Sequence, residues 1–563
     1  MSGSASPRGA AAPSASASAD IGVGARGRAS ASGSAGGRTG TLYGVGVGPG
    51  DPQLITVKAR AIIEAADVIA YTSKAGGESL ARNTVKDHLS ERHLQMPLVY
   101  PVTVEQTDHA GGYEGALEEF YETSARLIAK HLDAGLDVAV LCEGDPFFYG
   151  SYMYLHERLK QRYTTEVIPG VTSVSAAAAA AGTPLAKRDD VLTVLPGTLD
   201  ADALSARLRD ADAAAVLKLG RRFRQVREAV NRAGVAERAL YVERASCEAE
   251  RLLPVAEVDP DQVPYMSLLL MPTANARGRL PTTAALETGA LRRPARPPRP
   301  GEDAPVEEAA GCVAVVGLGP GAQEWITPEA QAELAAAHQL LGYGPYLDRV
   351  PVLEGQRRHA SGNSEEAGRA AHALALASAG ARVAVVSSGD PGIFAMASAV
   401  FEQLAQLQQE GRDPGVQVRV IPGVSAMQAA AARLGAPLGH DFCVISLSDR
   451  LKPWSVVERR LTAAAQADLV IAIYNPASKT RRRQLARARE VLLGHRGGET
   501  PLMIARAVGS SEESVKVRTL RDADLDDVDM RTLLIVGSSQ TRVLRCGATG
   551  RPLVFTPRCW EGE

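Results

Sequence analysis

Three motifs occur twice in this chain, in the same order, and that repetition limits the fold more than any other feature. GVGPGDPQLIT at 46–56 returns as GLGPGAQEWIT at 317–327, and Gly144-Asp145-Pro146 returns as Gly389-Asp390-Pro391. IPGVTSVSAAAAAAGTPL at 168–185 returns as IPGVSAMQAAAARLGAPL at 421–438. The spacing between copies drifts only by loop-sized amounts, and the period is too long for a solenoid. A tandem duplication of one fold is implied, a fusion of two enzymes or of two binding modules. A length of 563 residues leaves each copy enough chain to bury a core.

Within each copy, short apolar runs alternate with helical spacing. In the first, Leu42–Val47, Val68–Tyr71, Asp137–Cys142 and Thr165–Ile168 read as strands, with helices over Thr56–Ala66, Gly115–Leu132, Tyr152–Lys160 and Ser173–Ala181. Further strands are expected at Val191–Leu195, Ala214–Leu219, Ala239–Val242 and Tyr265–Leu270, and in the second copy at Val383–Val386. Such alternation indicates an α/β fold on a parallel sheet. Residues 1–39 are Ser, Ala, Gly and Arg with almost no large apolar side chain, and so read as a disordered tail. That composition is also the one found in organellar transit peptides, although no clear amphipathic helix is present. Residues 276–310 form a Pro/Arg-rich linker, which separates domains at 40–275 and 311–545, and 546–563 is a C-terminal tail.

Composition excludes more than it selects. A hydrophobic content of 45%, a charged content of 22% and a formal charge of -2 are those of a globular protein that is not a nucleic-acid binder. The six cysteines are scattered without a CxxC pair, so neither a zinc site nor a disulfide framework is expected and a cytoplasmic setting is the default. No apolar run approaches the roughly 20 residues needed to span a bilayer. His88 and His93 lie in a charged stretch and do not read as metal ligands; no metal site is expected.

The Gly-rich turns do not fit a dinucleotide fingerprint, because Gly46-x-Gly48-x-x leads to Asp51 and Gly317-x-Gly319-x-x leads to Ala322. No Lys-Ser/Thr follows, which also excludes a phosphate-binding P-loop. A nicotinamide- or flavin-dependent oxidoreductase is thereby disfavoured. In Gly-Asp-Pro, glycine admits close approach of a ligand, proline fixes the exit direction, and aspartate can cap the turn or accept a ligand hydrogen bond. Alone the tripeptide is a common turn; flanked twice by the same neighbours it marks a site.

The combination resembles the tetrapyrrole methyltransferase family, which transfers methyl from S-adenosyl-L-methionine to carbons of precorrins. The first half is similar to precorrin-2 C20-methyltransferases through GVGVGPGDPQLITVKA at 44–59, YTSK at 71–74 and CEGDPFFYGSYMYL at 142–155. The second is similar to precorrin-3B C17-methyltransferases through LGYGPYLD at 341–348, SSGDPGIFAMA at 387–397 and IAIYNPASKTR at 471–481. The resemblance implies a tandem repeat of the tetrapyrrole methyltransferase fold, each copy two α/β subdomains flanking a cofactor cleft. It implies cofactor contacts from Pro49, Gly144, Asp145, Thr172, Ser173 and Ala245 in the first half. In the second it implies Pro320, Gly389, Asp390, Ser425, Ala426, Asn475 and Ala507. Two departures stand out: Ala322 replaces the aspartate found at Asp51, and Pro391 and Phe394 stand where the subfamily pattern has alanine and tyrosine.

Sulfonium methyl transfer needs little from the protein beyond alignment and exclusion of water, since the electrophile arrives activated. The C17 reaction also contracts the macrocycle, which calls for acid–base help. His440, Asp441 and Lys452 are candidates by residue type, against the commoner structural or surface role. Precorrins carry many carboxylates, so Arg221, Arg222, Arg357, Arg358 and Arg481 are candidate substrate contacts, against the commoner solvated face. The implied partners are tetrapyrroles and other enzymes of the cobalamin pathway, with no nucleic acid or membrane. Family members are commonly homodimers, an interface that a tandem fusion can satisfy internally. The rival readings are another tetrapyrrole methylation, such as that of uroporphyrinogen III, or one half serving only as a scaffold.

Overall fold

The computed structural model describes residues 38–74, 77–101, 109–187, 190–273, 311–478, 481–545 and 552–557. The linker 276–310 and all but the last two residues of the tail 1–39 lie outside these. From Thr39 onward the chain forms one compact unit.

Each half begins with a five-stranded sheet in which every pair is parallel. In the first half the spatial order is Leu94–Tyr100, Val68–Lys74, Val138–Cys142, Thr41–Gly46, Thr164–Ile168. In the second it is Arg357–Ser361, Gln339–Tyr343, Arg382–Ser387, Cys312–Gly317, Gln417–Ile421, the same order. Central strands such as Val138–Cys142 are buried throughout, as expected of a parallel sheet covered on both faces. The helices between them start where a hydroxyl takes an orphan amide. Thr56 caps Val57–Ala65 by accepting from Ala59 N at 3.1 Å, and Thr327 caps Pro328–Ala336 by accepting from Ala330 N at 3.2 Å. The edge strand Leu94–Tyr100 escapes sequence patterning because its apolar side chains are divided between faces, Leu94 and Val99 staying about half exposed.

The second layer departs from the expected parallel sheet. It is one mixed sheet of ten strands, five from each half. The first half supplies Leu192–Pro196, Ala213–Leu217, Ser267–Met271, Leu240–Glu243 and Arg251–Pro254, in that order outward from the middle. The second supplies Phe442–Ser446, Val470–Tyr474, Thr532–Val536, Pro501–Arg506 and Ser514–Thr519. The halves meet where Phe442–Ser446 pairs antiparallel with Leu192–Pro196, with Phe442 opposite Val194 and Val444 opposite Leu192. One buried apolar cluster runs across this seam. Two ion pairs reach across it in opposite senses: Arg207 lies 3.3 Å from Asp441, and Arg460 lies 2.6 Å from Asp212. The boundaries read at 40–275 and 311–545 are thus points along the chain, while in space the two segments share a sheet.

The segment 546–563 also needs correction as a tail. Pro552–Phe555 is a strand pairing with Gly435–Ala436 and Arg542–Arg545, and its Val554 is fully buried. Four residues were too few to stand out from the polar sequence around them.

Phe442 is fully buried, and its ring meets Phe148 edge-on at 5.5 Å. Phe442→Ala removes that packing from the middle of the seam and is expected to cost about 3–5 kcal/mol, read as a lower urea midpoint. Because the cluster is continuous, the two halves should lose stability in a single transition.

Candidate functional site

In each half the carboxyl ends of three neighbouring strands converge, the end of a parallel sheet at which α/β folds bind ligands. In the first half these are the ends of Thr41–Gly46, Val138–Cys142 and Thr164–Ile168, which lead into the Gly-Pro-Gly loop, Gly-Asp-Pro and Pro169-Gly170. The loops approach one another backbone to backbone. A Cβ on Gly170 would lie 2.1 Å from Gly144 O, and one on Gly423 would lie 2.6 Å from Gly389 O. Gly144 N donates to Gly48 O at 2.8 Å, and Gly389 N donates to Gly319 O at 2.9 Å. Gly144 and Gly389 have φ of 67° and 71°, which glycine adopts without strain.

The aspartates hold these ends together. Asp145 accepts from Phe147 N at 2.9 Å and from Gly170 N at 3.1 Å; Asp390 accepts from Gly392 N at 2.8 Å and Gly423 N at 3.3 Å. Each carboxylate therefore ties its own turn to the neighbouring strand end, and its backbone is left facing the open side. Both side chains are only 4% exposed. Burial pushes Asp145 up to about 7 and Asp390 up to about 6, against the amide donors that pull the other way.

Thr172 and Ser425 cap the helices Ser173–Ala180 and Ala426–Leu434, whose first residues Ser173 and Ala426 are half-buried beside the turns. The remaining expected contacts sit on loops of the ten-stranded sheet that fold back onto the Gly-Pro-Gly loops. Ser246 Oγ accepts from Asp51 N at 3.2 Å, and Cys247 Sγ lies 3.8 Å from Pro49 O. Similarly, a Cβ on Gly321, next to Pro320, would lie 2.4 Å from Val508 O. Ala245 and Ala507 occupy neighbouring places, not equivalent ones, in the two loops. Arg244 and Ala507 share a left-handed φ (48° and 50°), and their amides donate to Met266 O and Arg531 O at 2.8 and 2.9 Å. Ala245 therefore corresponds to Val508. Asn475, with φ 50°, ends the strand Val470–Tyr474, as Lys218, with φ 61°, follows Ala213–Leu217.

The acid–base candidates separate. His440 and Asp441 precede the strand Phe442–Ser446 and stand at the seam, where Asp441 faces Arg207. Lys452 stands beyond its far end, with Nζ donating to Ser446 O at 3.4 Å, while Asn475 Nδ2 donates to Ser446 Oγ at 3.1 Å. Arg481 joins that group, its guanidinium donating to Leu447 O at 3.2 Å and Asn475 O at 3.5 Å. Arg358 is used inside its own half, on the carbonyls of Leu347, Val350 and Pro351. Arg221, Arg222 and Arg357 are exposed. Two residues not among the expected contacts also shape the second site. Arg349 donates to Leu318 O and Gly319 O at 2.8 and 2.9 Å, and the Tyr474 hydroxyl accepts from Met427 N at 3.1 Å. Both act on backbone, which no residue pattern advertises.

A model of the Tetrapyrrole (Corrin/Porphyrin) Methylases matches residues 41–259 and again 313–524, each match enclosing one such cluster. The chain belongs to the tetrapyrrole methylase family. It is 53% identical over 523 residues to the "Cobalamin biosynthesis protein CobIJ" of Mycobacterium bovis, across 92% of this chain and 96% of that one. The first half of this methylase matches the "Precorrin-2 C(20)-methyltransferase" of a Sinorhizobium species, 47% identical over 233 residues, 41% of this chain and 95% of the relative. The second half matches the "Precorrin-3B C(17)-methyltransferase" of a Sinorhizobium species, 49% identical over 253 residues, 45% of this chain and 98% of the relative.

A Cβ on Gly144 would meet nothing nearer than 3.8 Å, and the same holds at Gly389, ordinary contact with the starts of the capped helices, whereas the strand ends below are packed backbone to backbone. No helix among the described residues is long and apolar enough to cross a membrane.

Gly170→Ala and Gly423→Ala should each destabilise the protein by about 3 kcal/mol, because the added methyl meets a carbonyl oxygen instead of a movable side chain. Thermal denaturation measures it. The aspartates also set a pH dependence. Unfolded, both ionise near pH 4, whereas the folded state holds their protons towards 7 and 6, so the folded state binds more protons in between. Their contribution to stability is complete below about pH 4 and is lost as the pH rises through the folded values. The melting temperature should fall between pH 5 and pH 8, and the Asp145→Asn/Asp390→Asn double variant should flatten that fall.

Proposed function

We infer that the chain is a bifunctional methyltransferase of cobalamin biosynthesis, acting at C20 of precorrin-2 through its first half and at C17 of precorrin-3B, with ring contraction, through its second. The observation that carries this is the presence of two complete loop clusters in one chain, each inside a half that matches nearly the full length of a different single-reaction enzyme. A scaffolding role for one half would leave its turn free to decay. Both halves keep Gly-Asp-Pro, its buried carboxylate bonds and the capped helix beside it.

S-adenosyl-L-methionine, the family's methyl donor, would supply the methyl already activated as a sulfonium. Backbone at Gly144-Asp145 and Gly389-Asp390, the helix starts at Thr172-Ser173 and Ser425-Ala426, and Pro49, Pro320, Ala245, Asn475 and Ala507 would hold it. The protein's work is then alignment of two reactants and exclusion of water. A cytoplasmic location and tetrapyrrole partners fit this reading. For ring contraction, Lys452 is favoured over His440 and Asp441, because it shares the strand end with Asn475 and Arg481.

The intact chain should bind two S-adenosyl-L-homocysteine molecules in a calorimetric titration. It should also pass labelled methyl from S-adenosyl-L-methionine to precorrin-2 and to precorrin-3B. One site per chain, or label on only one substrate, removes the bifunctional reading. Lys452→Met should slow the C17 reaction by about 100-fold, within the usual range for loss of an acid–base group, and leave the C20 rate unchanged.

A further inference from the structure

The two capped helices also reach across the seam. Ser175 and Gln428 occupy the same place in the repeat, three residues after the N-caps Thr172 and Ser425. Both are nearly fully buried. Gln428 Nε2 donates to Gly170 O of the first half at 2.9 Å, and Gly170 N in turn donates to the Asp145 carboxylate at 3.1 Å. Gln428 Oε1 is taken at home, accepting from Ser425 N at 3.1 Å. The amide thus spends a donor on the first half's strand end and its acceptor on the second half's cap. Ser175, at the matching position, accepts from Thr172 Oγ1 at 3.3 Å.

We propose that Gln428 is a positioning residue acting in trans, holding the Gly170 strand end, and through it the Gly-Asp-Pro turn, at the cofactor site of the opposite half. The proposal rests on the functional reading above. Gly170 is tied to that turn by its amide, which donates to Asp145, while its carbonyl is held from the other half. Without the Gln428 amide a buried carbonyl is left unpaired, and the strand end shifts to recover a partner and carries the turn with it. A displaced turn misplaces the backbone proposed to hold the methyl donor, so binding of that donor should suffer first.

The test uses the full-length chain and follows both reactions in each variant. Gln428→Met preserves volume but removes the amide, and should raise the S-adenosyl-L-methionine KM of the C20 reaction by about tenfold, the usual scale for leaving a buried polar group unpaired. Its kcat there should change little. Gln428→Glu sets a carboxylate against the Gly170 carbonyl, so its C20 activity should recover as the pH is lowered towards 6, where the added group takes up a proton and can donate again, a profile that packing alone does not produce. The proposal is overturned if the substitutions change KM only in the C17 reaction, or if kcat falls equally in both reactions with KM unmoved. If the unaltered chain binds no S-adenosyl-L-homocysteine, the functional reading fails and takes this one with it; two sites with no effect in trans sinks this proposal alone.

Discussion

A single buried carboxylate holds each site together, and most of the architecture exists to keep it in place. Asp145 and Asp390 each draw an amide from their own turn and another from the adjacent strand end. Desolvating such a group is costly unless donors surround it, and here the donors are backbone amides that only a parallel sheet with these three adjacent ends brings together. The glycines follow from that constraint. Gly46, Gly170 and Gly144 are stacked backbone on backbone, leaving no room for a side chain between the ends that the carboxylate must bridge.

The second constraint is the seam. An antiparallel pairing of Phe442–Ser446 with Leu192–Pro196 turns two five-stranded sheets into one of ten, and the apolar cluster beneath it is shared. In a homodimer a two-fold axis would force every contact of one residue with a second to be repeated as the second with the first. A fusion of two diverged halves is free of that rule, and the chain uses the freedom: one matched position is serine, bonded at home to Thr172, and the other glutamine, bonded across the seam to Gly170. The Arg207–Asp441 and Arg460–Asp212 pairs are asymmetric in the same way.

Backbone strain gathers around the same loops. Tyr149 and Phe394, Lys218 and Asn475, and Arg244 and Ala507 form matched pairs of non-glycine residues with left-handed φ. Such residues cost about 1–3 kcal/mol each and persist only where the surroundings over-determine them. Their recurrence in both halves, on side chains as different as lysine and asparagine, shows that the backbone path has been retained while the side chains lining it have diverged. That is the physical form of two related reactions on one scaffold: a shared path for what the halves have in common, and different groups, Lys452 and Arg481 among them, where they differ.

Much of this was legible in the residues. The repeat, the family, and four of the five strands of the first half's parallel sheet follow from local pattern, since apolar periodicity, caps and Gly-Pro turns act over a few positions. The glycine and proline motifs locate the strand ends for the same reason. What the chain alone could not settle were properties of partners far apart in sequence. Whether Asp145 faces a ligand or the backbone, which residue matches Ala507, that Arg349 grips the Gly319 loop, and that Pro552–Phe555 is a strand all depend on atoms brought from elsewhere. The seam is the clearest case. Gln428 reads locally as the ordinary third position of a capped helix, and only tertiary packing, by placing it against Gly170 O of the other half, gives it something to hold.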